Sequence, residues 1–300
     1  MTAAVRVRAP AKVNLHLSVG PLRADGYHEL HTVFHAVDLF DEVIASAADG
    51  LSLAVSGAAA ADVPVDAGNL AWRAAELLAA AAGVTADVRL EISKSIPVAG
   101  GMAGGSADAA AALVACAQLW GVSAERADLA DLAAQLGADV AFPLLGGTAV
   151  GTGRGEVLAP APTAAQLHWV FALADRGIST VEAYGELDWL RDADEAPTPI
   201  GSPDALVAAL AAGDLSAIAE GLANDLEAAA VSLCPTLAAT LETGRAAGAL
   251  AGIVSGSGPT CAFLCADAVD AARIADRLRT AGVCRDAVAA RGPVPGAQVV

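Results

Sequence analysis

The chain has 300 residues, enough for one large domain or two ordinary ones with a sizeable buried core. Its formal net charge of −17 argues against binding to a nucleic-acid backbone, which needs a basic surface. The longest uncharged helical stretch, 109–124, is shorter than the roughly 20 apolar residues of a membrane span, and no apolar signal core lies near the N-terminus. These features predict a cytoplasmic protein with neither a nucleic-acid nor a membrane partner.

Two short strands are predicted at the N-terminus, because residues 5–8 and 13–19 alternate between apolar and polar side chains. Pro10 and Ala11 are expected to interrupt them. On the second strand Lys12 and Asn14 share one face. A lysine at the start of a strand is usually solvated, but beside Asn14 it can instead point into a cleft.

A turn is predicted at Asp25-Gly26, followed by a strand over 30–37. His28, His31 and His35 do not share one face of such a strand, so no metal site is predicted there. Tyr27 and His28 either pack in the turn or present a ring and a polar edge to a flat ligand. Two further short strands are expected within 41–55, and a helix over 69–82.

The glycine-rich loop is the most unusual segment. A strand over 88–92 leads into Lys94, four glycines then occur within six residues (100–105), and helical spacing begins at Ser106. Glycines let backbone amides approach a ligand, and a helix N-terminus favours an anion. The pattern predicts a phosphate site, although many glycine loops are simply tight turns.

The second half begins after a compositional shift near Pro160, which predicts domains over 1–158 and 159–300. Before it, Asp139 lies between apolar residues and is either an exposed or capping carboxylate or a base in a pocket, and Pro143 is expected to prevent a regular helix. A strand over 169–173, a helix opened by Ser179 and a last strand near Val288 follow, with a loose tail from residue 292. The five cysteines show no paired spacing and are predicted to be reduced core thiols.

Three separated segments, Pro10–Leu15, Pro97–Ala110 and Gly256–Thr260, together resemble the GHMP kinase superfamily. The resemblance implies an α+β two-domain GHMP kinase fold. It consists of an N-terminal nucleotide-binding α/β domain like ribosomal protein S5 domain 2 and a C-terminal ferredoxin-like α+β domain, with catalysis in the cleft between them. Within the superfamily, Arg23–Leu30 and Gly137–Val140 resemble the branch whose acceptor carries a cytidine diphosphate group.

That resemblance implies transfer of the γ-phosphoryl group of ATP, with Mg²⁺, to the tertiary 2-hydroxyl of 4-diphosphocytidyl-2-C-methyl-D-erythritol in the non-mevalonate isoprenoid pathway. Asp139 matches the catalytic base, and Lys12 matches the cation that keeps this carboxylate ionised and stabilises charge on the transferring group. No lysine follows the glycines, so phosphate binding rests on backbone amides and the helix dipole. No residue is assigned as a metal ligand, and a monomer or weak homodimer is expected.

Further site residues follow from the same resemblance. Tyr27 and Tyr184 are expected to sandwich the cytosine, with His28 reading its hydrogen-bonding edge. The residues implied for the acceptor are Asn14, Tyr27, His28, Thr180 and Tyr184. The residues implied for the nucleotide are Asn69, Lys94, Pro97, Gly100, Gly101, Met102, Ala103, Gly104, Gly105 and Ser106.

The glycine loop departs from the superfamily's common Leu-Gly-Gly-Gly-Ser-Ser, since it reads Met-Ala-Gly-Gly-Ser-Ala over 102–107. Ala103 stands where that pattern has a glycine and restricts the backbone conformations at this position. Ala107 stands where the pattern has a serine, so a hydroxyl group is absent. Two alternatives remain: another small-molecule kinase of the superfamily, and a nucleotide-binding protein without catalysis. The Asp-Gly-Tyr-His turn argues against the first, and the pairing of Lys12 with Asp139 argues against the second.

Overall fold

The computed structural model describes residues 4–57, 60–98, 100–123 and 126–300. The strands in these residues are β1 (Ala4–Leu22), β2 (His28–Ala47), β3 (Ser52–Gly57), β4 (Val88–Lys94), β5 (Thr148–Thr152), β6 (Val157–Pro160), β7 (Leu167–Leu173), β8 (Ala223–Asn224), β9 (Ala251–Val254), β10 (Cys261–Cys265), β11 (Asp286–Gly292) and β12 (Gln298–Val299). The α-helices are α1 (Leu70–Ala82), α2 (Gly104–Trp120), α3 (Arg126–Leu136), α4 (Ala141–Leu145), α5 (Thr180–Asp192), α6 (Asp204–Ala212), α7 (Leu215–Gly221), α8 (Glu227–Leu233), α9 (Thr236–Ala246) and α10 (Ala268–Ala281).

An eight-stranded sheet forms the N-terminal part, with the order β12-β1-β2-β4-β3, and β5, β6 and β8 attached at its sides. Its centre is a long antiparallel hairpin of β1 and β2. The predicted interruption at Pro10 and Ala11 is wrong, because β1 continues through both residues. The register of β1 against β2 shifts there instead, and such an irregularity accommodates a proline that cannot donate to the ladder.

The second strand is also longer than predicted. The segment from Asp41 to Ala47 continues β2 and pairs with β4, so it is not a separate strand. The alternation of apolar and polar residues does not predict this continuous strand, because Asp41 within it is a polar residue that is fully buried. Its partner is Lys94 at the end of β4.

Two helices, α1 and α2, contact each other, and α2 also contacts β1 and β2. The predicted helix over 69–82 is confirmed: the side chain of Asn69 caps its first turn, and Gly83 ends it in the left-handed conformation. The alanine-rich α2 is buried along most of its length, where small side chains allow close approach to its neighbours. Among the described residues, no helix is long and apolar enough to cross a membrane.

Pro143 lies inside the short helix α4, so the prediction that it prevents a regular helix is wrong. Proline is tolerated in a first helical turn, where its missing N–H has no intrahelical partner. This helix follows directly from the turn that carries Asp139.

The C-terminal part is built on an antiparallel four-stranded sheet in the order β11-β7-β10-β9, with α10 connecting β10 to β11. This order and connectivity are those of a ferredoxin-like α+β domain, which confirms the predicted fold class. All five cysteines are free, and Cys116, Cys234, Cys261 and Cys265 are buried, as expected for core thiols.

The prediction of a loose C-terminal tail is wrong. Strand β12 pairs with β1, and Ala297 is fully buried with its N–H donating to the carbonyl of Pro143 at 2.7 Å. Strand β8 also pairs with β1, so later parts of the chain complete the first sheet. Strand β6 extends the same sheet to Pro160, and the domain boundary at 158/159 stays a prediction.

Candidate active site

A cleft of about 820 Å³ lies where the first sheet, the N-terminus of α2, the helix α5 and the turn after β9 meet. It brings together nearly all of the residues predicted from widely separated segments. Those that line it are Lys12, Asn14, Tyr27, His28, Asn69, Lys94, Pro97, Gly100, Gly101, Ala103, Gly104, Gly105, Ser106, Asp139, Thr180 and Tyr184. Met102 is instead fully buried in the core, and Ala99 of the glycine loop lies outside the described residues.

The glycine loop is held between the first strand and the C-terminal domain. Gly101 has φ 71°, and a Cβ there would approach the carbonyl oxygen of Ser255 to 2.1 Å, so this position requires glycine. The carbonyl of Gly101 accepts hydrogen bonds from Nζ of Lys12 and from Oγ of Ser255. Gly101 is therefore anchored to both β1 and the turn after β9.

The N-terminus of α2 faces the same cleft. Ala103 precedes this helix of 17 residues with φ 59°, and within the part of the chain that the structure describes it makes no side-chain cap hydrogen bond to the first amides. Gly104 and Gly105 present no side chains over these amides. The arrangement suits an anionic phosphate.

Lys12 is 4% exposed and reaches the cleft from β1. Its Nζ donates to Oδ1 of Asn14 at 2.6 Å and to the Gly101 carbonyl at 2.9 Å, and it lies 3.9 Å from Oδ2 of Asp139. Burial lowers the pKa of Lys12, while the charge of Asp139 opposes that shift. The amide of Asn14 is oriented by its own donation to Thr32 at 2.8 Å.

Asp139 lies in the turn between α3 and α4, and its side chain is 41% exposed. It therefore presents a carboxylate to the cleft, with the Lys12 ammonium behind it. A carboxylate that is open to a ligand and close to a buried cation is suited to accept a proton from a bound hydroxyl.

Lys94 has a different environment. Its Nζ donates to Asp41 and, at 2.7 Å, to Oδ2 of Asp108, and all three side chains are buried. Asp41 also accepts from the amides of Ser95 and Ile96 at 2.6 and 2.9 Å. The three charges thus join β2, the end of β4 and the first turns of α2 directly below the glycine loop.

The pKa values of this cluster follow from burial and charge. Burial alone would lower the pKa of Lys94, but the carboxylates of Asp108 and Asp41 outweigh it and raise that pKa. Burial raises the pKa of Asp108 to about 7, with Lys94 opposing the shift. Oδ1 of Asp108 has no hydrogen-bond partner among the described residues, which is consistent with the raised pKa of this carboxyl.

The other end of the cleft is aromatic. The ring of His28 stacks on Tyr184 with centroids 5.2 Å apart, and its Nε2 lies 3.0 Å from Oδ1 of Asp188. Tyr27 is 53% exposed at the mouth of the cleft. Thr180, the first residue of α5, lies with its hydroxyl 3.4 Å from that of Ser257. In this arrangement His28 lies against Tyr184, and the expected sandwich of a base by Tyr27 and Tyr184 stays a prediction.

Asn69 lines the cleft, but its side chain is engaged by the fold. Its Oδ1 accepts from the Ala71 amide at 2.8 Å, and its Nδ2 donates to the Pro64 carbonyl at 2.8 Å. Contact with a nucleoside through this residue stays a prediction. Met102 contributes its backbone, since its carbonyl accepts from the Lys12 amide at 3.2 Å.

Sequence reasoning did not identify Asp41, Asp108, Asp188 or Arg154. Asp108 carried a signal, because it is a single charge in the long alanine run of 107–112. Asp41 and Asp188 carried none, because Lys94 and His28, the groups that they contact, lie far away in the chain. The contact of Arg154 with Tyr27 is equally distant in sequence.

The fold and the cleft define a two-domain phosphotransferase that acts on a small molecule. The GHMP kinases N terminal domain profile matches residues 69–147, and the GHMP kinases C terminal profile matches residues 206–284. The chain is 59% identical to the 4-diphosphocytidyl-2-C-methyl-D-erythritol kinase of Salinispora arenicola, covering 98% of this chain and 94% of the relative. It is 58% identical to the enzyme of that name from Mycobacterium tuberculosis H37Rv, covering 100% of this chain and 94% of the relative.

Comparison with solved structures supports the same family. A crystal structure of 4-(cytidine 5'-diphospho)-2C-methyl-D-erythritol kinase is 35% identical and superposes with a TM-score of 0.78, covering 95% of this chain and 98% of that one. A homoserine kinase from Cytophaga hutchinsonii has a TM-score of 0.80 at 22% identity, covering 100% of this chain and 98% of that one, and shows the fold alone. The chain belongs to the GHMP kinase family, in the group of 4-diphosphocytidyl-2-C-methyl-D-erythritol kinases.

Proposed function

We propose that this chain transfers the γ-phosphoryl group of ATP to the 2-hydroxyl of 4-diphosphocytidyl-2-C-methyl-D-erythritol, a step of the non-mevalonate isoprenoid pathway. The observation that carries the proposal is the position of Asp139 and Lys12. They lie 3.9 Å apart and both line the same cleft as the glycine loop, in a chain whose relatives bear that activity in their names.

The nucleotide binds at the glycine loop. The residues that line this end fit a triphosphate, since Gly104 and Gly105 leave the first amides of α2 uncovered and Ala103 leaves them uncapped. Mg²⁺ would be held by the phosphates of ATP together with the hydroxyl of Ser106, and it would neutralise charge on them. In this proposal, Lys94 and Asn69 lie nearer to the nucleoside of ATP than the glycine loop does.

The cytosine of the acceptor binds between Tyr27 and Tyr184, with His28 at its hydrogen-bonding edge, and the polyol lies near Asn14. Asp139 accepts the proton of the tertiary hydroxyl as the oxygen attacks phosphorus. The Lys12 ammonium lies 3.9 Å from Oδ2 of Asp139 and faces the negative charge that the transferred group carries. Lys12 is itself held in place by Asn14 and the Gly101 carbonyl, so positioning requires no rearrangement of the lysine.

The test is incubation of the chain with ATP, Mg²⁺ and the cytidine diphosphate acceptor, followed by NMR to locate the new phosphate. Phosphate on the 2-hydroxyl is expected. The matched comparison is the same polyol without its cytidine part: equal turnover of both compounds would contradict the acceptor assignment.

The proposal includes a cytoplasmic location, a monomer or weak homodimer, and no nucleic-acid or membrane partner. The net charge of −17 supports the absence of a nucleic-acid partner. It also means that anionic substrates must be attracted by local groups in the cleft. Sedimentation analysis over a range of concentrations tests the oligomeric state.

A further inference from the structure

Arg154 is a cleft residue to which neither the sequence nor the proposed reaction gives a role. It lies in the turn of residues 153–156 between β5 and β6, and it lines the same cleft as Tyr27 and Asp139. Its guanidinium carbon lies 4.9 Å from the centroid of the Tyr27 ring, and its side chain is 31% exposed. A guanidinium over an aromatic ring is a favourable contact that also fixes the orientation of both groups.

The turn that carries Arg154 lies between the two ends of the acceptor site. On one side, a Cβ at Gly155 would lie 3.9 Å from Oδ1 of Asp139. On the other side, the Gly153 amide donates to Glu29 at 3.1 Å, and the Leu30 amide donates to the Gly153 carbonyl at 2.7 Å. The turn is therefore tied to the segment that presents Tyr27 and is adjacent to the proposed base.

Both lysines that line the cleft already have partners within the protein. Lys94 is neutralised by two buried carboxylates, and Lys12 is bonded to Asn14 and Gly101 and faces Asp139. Arg154 differs from both. Its Nε lies 3.4 Å from Glu156, while its two terminal amino groups have no hydrogen-bond acceptor within the part of the chain that the structure describes.

We propose that Arg154 is a specificity-determining residue that binds the diphosphate of the acceptor. This inference rests on the proposed function, in which the cytosine is held at Tyr27 and the reacting hydroxyl at Asp139. The diphosphate joins these two parts of the acceptor, so it must cross the interval in which Arg154 lies. A guanidinium matches phosphate oxygens with two parallel donors, and in a chain of net charge −17 such a local cation favours an anion at this point of the cleft.

The experiment uses Arg154→Gln in the full chain, with Arg89→Gln as the matched control. Arg89 is an exposed arginine whose Nε pairs with Glu91 two residues later, as Arg154 pairs with Glu156, but it lies outside the cleft. Arg154→Gln is expected to raise KM for the acceptor about 10- to 100-fold, with kcat and the KM for ATP within about threefold of the wild type. Arg89→Gln is expected to change none of these constants.

Direct binding of cytidine, CMP and CDP, measured by calorimetry, separates phosphate binding from bracing of Tyr27. For the wild type, affinity is expected to rise from cytidine to CDP, and for Arg154→Gln this gain is expected to disappear while cytidine binding is retained. Equal weakening of cytidine and CDP would overturn the proposal, because Arg154 would then act only on the Tyr27 ring. An effect of the same size in Arg89→Gln would also overturn it, as a general effect of net charge.

Two further results keep the proposal separate from its premises. Arg154→Lys retains the cation and is expected to recover part of the CDP gain; no recovery in a folded variant would argue that the charge is irrelevant and overturn the proposal. If the wild type shows the graded binding series but does not phosphorylate the acceptor, the proposed reaction fails while the diphosphate site is supported.

Discussion

Lys12 and Lys94 are the two lysines of the chain, and both are buried at the same cleft, yet their surroundings differ. Lys12 faces one carboxylate, Asp139, that is 41% exposed and 3.9 Å away. Lys94 contacts Asp41 and Asp108, whose side chains are 0% and 2% exposed. Burial lowers the pKa of Lys12 against the single charge of Asp139, whereas for Lys94 two carboxylates overcome burial and raise the pKa.

The difference separates two uses of a buried ammonium. A lysine with a single, open partner keeps its charge available to a ligand, and its partner remains accessible to a substrate. A lysine saturated by two buried carboxylates fixes the backbone elements that carry them, here the base of the glycine loop. We therefore expect substitutions around Lys12 to affect turnover and substitutions around Lys94 to affect stability.

The largest effect is expected from Asp139→Asn. Asparagine retains the shape of the side chain but cannot accept the proton of the acceptor hydroxyl, so kcat is expected to fall by about two orders of magnitude or more. ATP binding, measured by calorimetry, is expected to be unchanged. Wild-type turnover in a folded variant would show that Asp139 is not the base.

Lys12→Met tests the catalytic side of the comparison. Loss of the cation is expected to lower kcat by about 100-fold, the scale of removing one donor that stabilises developing charge. The free energy of unfolding, measured in urea, is expected to fall by about 1–2 kcal/mol, less than for Lys94→Met, because the variant removes hydrogen bonds to Asn14 and Gly101 but leaves no buried carboxylate unpaired. A large loss of stability here would contradict the distinction between the two lysines.

The pH dependence of kcat supplies a second check on Lys12. Because burial lowers the pKa of Lys12, its ammonium loses its proton at a pH below the ordinary lysine value of 10.5. We therefore expect kcat to fall as the pH rises through the lowered pKa of Lys12. Lys12→Arg keeps its charge throughout and is expected to lack this alkaline loss. An alkaline limb shared by both proteins would exclude Lys12 as its origin.

Lys94→Met tests the structural side. It leaves two buried carboxylates without a cation, and breaking such a pair costs about 3–5 kcal/mol of unfolding free energy. The loss is expected to be larger at pH 8 than at pH 5.5, because the raised pKa of Asp108, about 7, lets this carboxyl take up a proton at the lower pH. Urea unfolding at both pH values measures it, and Lys12→Met serves as the control for removal of a buried lysine.

Asp108→Asn probes the weaker carboxyl of the cluster. Since the pKa of Asp108 is raised from 3.8 to about 7, the folded state binds an extra proton between these values, and its contribution to stability falls as the pH rises through that window. Asp108→Asn cannot bind this proton. The free energy of unfolding of the variant, relative to that of the wild type, is therefore expected to increase by about 1–3 kcal/mol as the pH rises from 5 to 8.

The control for this measurement is Asp276→Asn, an exposed carboxylate on α10. Its unfolding free energy is expected to stay parallel to that of the wild type across the same pH range. If Asp108→Asn is also parallel to the wild type, Asp108 is ionised throughout and the cluster holds both carboxylates charged.

The smallest effect is expected at Ala103, which precedes α2 with φ 59°. A left-handed backbone costs a residue with a Cβ about 1–2 kcal/mol, and glycine removes this cost while adding flexibility to the unfolded chain. Ala103→Gly is therefore expected to raise the unfolding free energy by up to about 1 kcal/mol without changing KM for ATP. A destabilised variant would indicate that the Ala103 side chain contributes packing beyond its strain.

Much of the fold was readable from local pattern. The helix over 69–82 carried both of its caps, and the strand, glycine loop and helix over 88–120 appeared in order, because these features depend on neighbours within a few residues. The errors occurred where long-range contact decided the outcome. Strand β1 continues through Pro10 because its register against β2 shifts there, and the C-terminal tail is ordered because β12 pairs with β1.

The sequence by itself determined the fold class, the glycine loop between β4 and α2 and, through the family resemblance, the proximity of Lys12 to Asp139. Only the tertiary structure decided which groups surround each lysine, since Asp41, Asp108 and Lys94 meet across three elements. It also decided that Arg154 lies over Tyr27. The physical reason is that charge and burial act through space: the pKa of a side chain and its availability to a ligand depend on which groups the folded chain brings within a few ångströms.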